Sequence, residues 1–271
     1  MQNKMLWLVY LIPIVVLIFE IYRQTTFILT DVVLFPFFLA SSVLISITAL
    51  IIRLFIIDPQ KFSTIIFGTD IYVSNENTSE KTLNPLRFLN LMPIAMITCS
   101  IADTLIAIDF ILGVLTFLIA QILYITAYSG IIHLNPKTVF TGKKKALPIV
   151  FSIGWILIST LLYITLIFSP DDILTLLVIP YVVVLTLMVI ITFFGLGYIS
   201  RSLNFRLLLC GGAVFFLISD TILAFNRFNT PIYGASMLIG PTYLLAVFML
   251  QFAILFLHFP DGSSIMRAEK G

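Results

Sequence analysis

The chain has 271 residues, of which 60% are apolar and 10% charged, and its mean hydropathy is +1.13. No water-soluble domain can hide so much apolar surface, so a soluble globular fold is excluded and lipid is the expected solvent. The formal charge of +2 comes from few, scattered Lys and Arg residues, which excludes a nucleic-acid partner read by a basic patch.

A helix needs about 20 mostly apolar residues to cross the hydrocarbon. Such runs fall near 4–22, 31–56, 86–107, 110–133, 146–168, 172–197, 204–225 and 233–258. They predict an all-α fold, a polytopic bundle of eight transmembrane helices in a single transmembrane domain over 1–271. The first run could pass for a signal peptide, but it lacks a small-residue cleavage site and ends on Glu20 and Arg23, so it reads as helix one. Several runs contain proline (Pro13, Pro36, Pro93, Pro180, Pro241), which membrane helices tolerate where neighbours satisfy the freed carbonyls.

With eight crossings, one side holds both termini and the loops after helices two, four and six. That side collects 13 of the 15 Lys and Arg residues; the other holds only Arg23 and Arg227. The positive-inside bias therefore predicts both termini, and the long loop 58–85, on the cytoplasmic side. The run Lys143-Lys144-Lys145 is an ordinary anchor of that kind, with contact to anionic lipid as the alternative. Asn77-Thr78-Ser79 fits the glycosylation triplet, but on a cytoplasmic loop it is a chance match.

Helix three carries IADTLIAID from Ile101, and helix seven carries ISDTILAFN from Ile218. Both helices are expected to run outward from the cytoplasm, as a parallel duplication of a four-helix unit would require. Ionisable groups within spans are costly and are functional candidates by default. Asp103 and Asp220 lie at matching positions of the echo. With Glu20 on helix one they share a depth about 25 Å from the cytoplasmic side, at 1.5 Å per residue. Two plainer readings stand beside this one. Glu20 is interfacial and paired with Arg23, or the two Asp residues are interhelical glue bonded to Thr104, Thr221 or Ser219. Asp109 is expected in the short turn between helices three and four.

Other chemistry is sparse. His133 and His258 lie near the cytoplasmic ends of helices four and eight, too far in depth from the carboxylates to share a metal. No phosphate-cradling Gly loop, Ser nucleophile elbow or Cys/His pairing is present, so neither metal nor cofactor is expected. Cys99 and Cys210 are expected about 10 Å apart in depth, reduced and packed. Gly113, Ala120, Gly211, Gly212 and Ala213 permit close helix packing. Gln121, Tyr124, Tyr243 and Gln251 are polar groups for a shared interior cavity, or else for packing hydrogen bonds.

Three segments carry a family resemblance: SIADTLIAI (Ser100 to Ile108), FILGVLTFLIAQILYITAY (Phe110 to Tyr128) and GGAVFFLISDTILAFNRF (Gly211 to Phe228). They resemble the lysoplasmalogenase family of YhhN-like membrane proteins. The resemblance is carried most specifically by Ser219-Asp220, Leu223-Ala224 and Asn226-x-Phe228. The chain departs from the family's pattern at Gln121, where His is common, and at Val247 after Ala246, where glutamine is expected; the loop 58–85 is also long.

The resemblance implies hydrolysis of the vinyl ether bond of a lysoplasmalogen, a lysophospholipid substrate drawn from the membrane, to a fatty aldehyde and a glycerophospho-alcohol. A vinyl ether is cleaved by protonating its outer alkene carbon, so one carboxylic acid and one carboxylate suffice, as for glycosidases acting through a related cation. Asp103 and Asp220 are the implied catalytic pair. Gln121, Tyr124, Ser219, Asn226 and Tyr243 are the candidate substrate-binding residues. Two other classes are open to the same sequence: a small transporter or lipid carrier using the carboxylates for protons or cations, and a non-catalytic scaffold.

Overall fold

The computed structural model describes residues 11, 13–19, 21–23, 31–56, 85–132, 146–196 and 202–256. Among the described residues all regular structure is helical. Helix α1, helical at residues 13–19 and 21–23, brings Leu17 to the core. Helix α2 (Asp31–Ile51) continues into a π-helical turn (Ile52–Ile56). Helices α3 (Pro85–Ile108) and α4 (Phe110–Tyr128) follow. Helix α5 (Ala146–Leu162) ends in a π-helical turn (Tyr163–Ile167). Helix α6 (Ile173–Leu196) consists of a short helix Ile173–Leu177 passing through Val178 into Ile179–Leu196. Helices α7 (Leu203–Phe228) and α8 (Ser236–Phe252) complete the bundle, the last with a 3-10 turn at Ala253–Phe256.

Among the described residues five helices are long and apolar enough to cross a membrane: Arg87–Ile108, Phe110–Tyr128, Ile149–Ile167, Ile173–Leu196 and Leu203–Phe228. Two shorter apolar helices, Phe38–Leu54 and Ser236–Phe252, accompany them. Their outward faces are large hydrophobics, for example Leu112, Leu115, Ile119 and Ile122 on α4, while Gly113, Phe117, Ala120 and Tyr124 of the same helix are buried. Thr116, Thr126 and Thr165 donate their hydroxyls to carbonyls four residues back, which satisfies them without water. The protein is a multi-pass, all-helical membrane protein.

Local chemistry sets the joints. Asp109 is the hinge between α3 and α4: its extended backbone breaks the helix and its carboxylate accepts from Leu112 N at 3.0 Å, an N-cap. This is the short turn the sequence predicts for it. Directly after the joint, Gly113 lets the two helices touch, since a Cβ there would lie 2.6 Å from Ile106 Cα. Gly212 does the same for α7 and α8, where a Cβ would lie 2.8 Å from Leu250 Cδ2 and 3.1 Å from the Ala246 carbonyl. Ser202 caps α7 by accepting from Phe205 N at 3.2 Å and also donates to the Phe256 carbonyl at 2.8 Å, tying the start of α7 to the end of α8.

The helices pack in sequential pairs. Helix α3 packs most extensively on α4 and α7 on α8; α2 packs on α3 and α6 on α7; α4 packs on α6 and α8 on α2. The core between them is aromatic, with Phe88, Tyr124, Tyr128, Phe205 and Phe216 fully buried. Helix α5 is the outlier: only 11% of its spanning window is buried, so it rides on the rim of the bundle.

Candidate functional site: two buried carboxyls on one cavity

Asp103 on α3 and Asp220 on α7 are both buried, 3% and 8% exposed. They line one cavity of about 260 Å³ and lie close enough to sense each other's charge. A carboxyl withdrawn from water needs partners. Asp103 has two on a single oxygen: Ser42 of α2 donates to Oδ2 at 2.6 Å and Tyr243 of α8 donates to the same atom at 2.9 Å. Asp220 has one, the hydroxyl of Tyr181 on α6, which donates to its Oδ2. Each Asp is thus bonded from the helix before its own, Asp103 from α2 and Asp220 from α6.

Ser42 begins a chain of hydroxyls. Its Oγ lies 3.1 Å from Ser100 Oγ, Ser100 lies 2.7 Å from Ser46 Oγ, and Ser46 reaches the Met96 carbonyl at 3.0 Å. The chain is satisfied in either direction. With Asp103 ionised, protons point from Ser46 through Ser100 and Ser42 to the carboxylate. With Asp103 protonated, each can rotate the other way and end on Met96. A carboxyl wired like this can change charge without stranding a buried donor or acceptor.

The rest of the cavity is mostly apolar, with Phe38, Ile106, Phe117 and Leu223 in its wall. Of the sequence-predicted binding residues, Tyr243, Ser219 and Asn226 line it. Ser219 spends its hydroxyl on the Ile239 carbonyl at 3.1 Å, and Asn226 Oδ1 accepts from Ile232 N at 2.7 Å, fixing the turn between α7 and α8. In that turn Gly234 takes a left-handed conformation (φ 69°).

Gln121 and Tyr124 are not on the cavity wall. Both are fully buried in the core. Cys99 Sγ donates to Tyr124 Oη at 3.8 Å, and the Gln121 amide lies close to the Tyr181 hydroxyl. They sit in the core behind the cavity wall. Gln251 is likewise fully buried and off the wall.

The glue partners expected from sequence are not those the carboxyls use. Thr104 donates to the Ser100 carbonyl at 3.1 Å, Thr221 to the Leu217 carbonyl at 2.8 Å, and Ser219 to Ile239. Ser42, Ser100, Ser46 and Tyr181 are the residues that residue-type reasoning missed. Serine and tyrosine are common in membrane helices, and only the three-dimensional pairing singles these out. Glu20, His133, His258, the loop 58–84 and Lys143 to Lys145 lie outside the described residues. Arg23 is buried. Cys99 and Cys210 are both free thiols. Among the described residues no cluster of His, Cys, Asp or Glu has metal-holding geometry.

No curated protein and no solved structure matches the chain. The model of the YhhN family matches residues 79–254, a stretch that contains Asp103, Ser100, Tyr181, Asp220 and Tyr243. The chain belongs to the YhhN family, the lysoplasmalogenase family of membrane proteins.

Proposed function

We propose that this protein is an integral membrane hydrolase that cleaves the vinyl ether bond of lysoplasmalogen-type lysophospholipids with Asp103 and Asp220. One observation carries the reading: two buried carboxyls share a single, mostly apolar cavity, each held by a hydroxyl from a different helix. The family supports it. The chain crosses the bilayer eight times in this reading, with both termini and the loop 58–85 on the cytoplasmic side and the cavity toward the opposite face.

The hydrogen bonds divide the labour. Asp103, with two donors on one oxygen and a reversible hydroxyl chain behind it, is the carboxylate. Asp220, with one donor, is the acid. Asp220 gives its proton to the outer alkene carbon, leaving an oxocarbenium ion that Asp103 stabilises across the cavity. Water adds to the cationic carbon and yields its proton to Asp103. The hemiacetal then collapses: its hydroxyl proton returns to Asp220, Asp103 protonates the departing glycerol oxygen, and the aldehyde is free. One water is consumed and both carboxyls end as they began.

The carrier alternative needs a polar path through the bundle. The hydroxyl chain leading away from Asp103 ends on the Met96 carbonyl, and beyond it Ala49, Phe88 and Met92 are fully packed. That favours hydrolysis. The test is aldehyde release by the purified protein from a lysoplasmalogen, with a saturated acyl lysolipid as control. Release from the first alone is expected; pH-coupled flux with no aldehyde would favour the carrier.

A further inference from the structure

Asp220 has a second cavity on its other side. A void of about 40 Å³ is walled by Tyr181, Asp220 and Leu217, and at Ser159, Tyr163 and Val182 it meets a groove of about 370 Å³ between α5 and α6. The groove is open to the bilayer and its wall is apolar, with Ile156 from α5 and Val183, Leu187 and Ile190 from α6. From Ile179 to Ile190 it follows α6 for about 16 Å at 1.5 Å per residue. On the orientation proposed above, it descends from the level of the carboxyls toward the middle of the membrane. That is the course of a lipid chain whose headgroup lies at the non-cytoplasmic surface.

We propose that the α5–α6 groove is a lateral entrance that takes the aliphatic chain of the lysolipid and delivers the adjoining bond to Asp220. The inference rests on the hydrolase reading, and it assigns the two cavities to the two ends of one substrate. The glycerol side occupies the cavity shared by Asp103 and Asp220; the hydrocarbon side occupies the groove. The bond to be cut then spans Asp220. Ser159 Oγ, which has no hydrogen-bond partner among the described residues, sits at the junction, in a groove wall whose surface is otherwise mostly hydrocarbon.

Helix α5 is the more open wall of the groove. It is the least buried of the crossing helices, and its outer end closes in a π turn. That end is pinned, by Tyr163 Oη donating to the Thr175 carbonyl at 2.9 Å and Asn229 Nδ2 donating to the Leu166 carbonyl at 3.2 Å. Farther down, Phe151 and Trp155 meet Phe193 of α6 at ring-centroid distances of 5.6 and 6.0 Å, so the groove lies between two points of attachment. The neck is closed by Tyr181. For a chain to pass, Tyr181 must swing off Asp220, so admission of the chain also frees the carboxyl that acts on it.

The test separates binding from turnover. A saturated hexadecyl ether lysolipid with a diazirine near the end of its chain, which cannot be hydrolysed, is photolysed with the wild-type protein in vesicles of phosphatidylcholine. Labelling is expected on α5 and α6 between residues 156 and 190, suppressed by unlabelled hexadecyl ether lysolipid and not by more phosphatidylcholine. Val183→Trp, which fills the groove, abolishes it; Leu176→Trp, an exposed residue of α6 off the groove, does not. In turnover, Val183→Trp raises KM for a hexadecenyl substrate about tenfold, the equivalent of two buried methylenes, and leaves a hexenyl substrate within about twofold. Label confined to α2 and α8, or label that competitor does not suppress, overturns the entrance. Wild-type protein that is labelled as expected but releases no aldehyde keeps the entrance and refutes the hydrolase.

Discussion

Ser42 Oγ stands 2.6 Å from Asp103 Oδ2, on two helices that also meet through Ser46 and Ser100, 2.7 Å apart, and through Arg53, which donates to Asn90 at 2.7 Å. A hydroxyl committed to a buried carboxylate is worth about 1.5–3 kcal/mol. Ser42→Ala should therefore lower kcat about 10- to 100-fold with KM little changed, since Ser42 touches the carboxyl and not the cavity. Ser42→Thr, which keeps the hydroxyl, should restore most of the loss. Steady-state kinetics on the three proteins checks it; equal loss in Ala and Thr variants would mean that packing alone is at stake.

Asp103→Asn and Asp220→Asn should each remove about 10²–10⁴-fold of kcat while the protein still folds. Circular dichroism and thermal unfolding in detergent give the second half of that statement. A scaffold predicts the reverse, lost stability and no activity to lose.

Tyr243→Phe and Tyr181→Phe should behave differently. Tyr243 lines the cavity and donates to Asp103, so its loss lowers kcat and raises KM together. Tyr181 donates to Asp220 from the far side, and Tyr181→Phe should change kcat with KM for a short-chain substrate unchanged. Comparing the two substitutions on one short and one long substrate separates these roles.

Gly113→Ala should cost about 1–3 kcal/mol, because the new Cβ would meet the α3 backbone at Ile106. Gly154→Ala is the control: a Cβ there meets nothing within 4 Å, and alanine is the better helix former by about 0.5–1 kcal/mol. Thermal midpoints should fall for the first and hold or rise for the second.

Much of the fold was legible because lipid-solvated helices advertise themselves by length and hydropathy. Helices Arg87–Ile108 and Ile173–Leu196 are examples, each long and apolar enough to cross a membrane. Helix α4 stops at Tyr128, where Ser129 and Gly130 turn the chain although the sequence stays apolar through Ile131 and Ile132. Asp103 and Asp220 stood out because a charge in a membrane helix is rare and the echo repeated it. Their partners did not. Neighbouring residues in a helix point about 100° apart, and Thr104 and Thr221 satisfy themselves on their own helix, so proximity in sequence was a poor guide. The packing of α2 on α3 and of α6 on α7 supplies the missing signal. Once α3 and α7 are matched, the helix before each becomes the place to search, and it holds Ser42 and Tyr181.

The most direct measurement of the chemistry is turnover of a lysoplasmalogen in deuterium oxide, with mass analysis of the aldehyde. Protonation of the outer alkene carbon by an exchangeable carboxyl places one deuterium on the carbon beside the aldehyde carbonyl, in product formed by the wild type and not by Asp220→Asn. Aldehyde without that deuterium, or undiminished release by the Asp220→Asn protein, would contradict a carboxyl pair that acts by delivering a proton to the double bond.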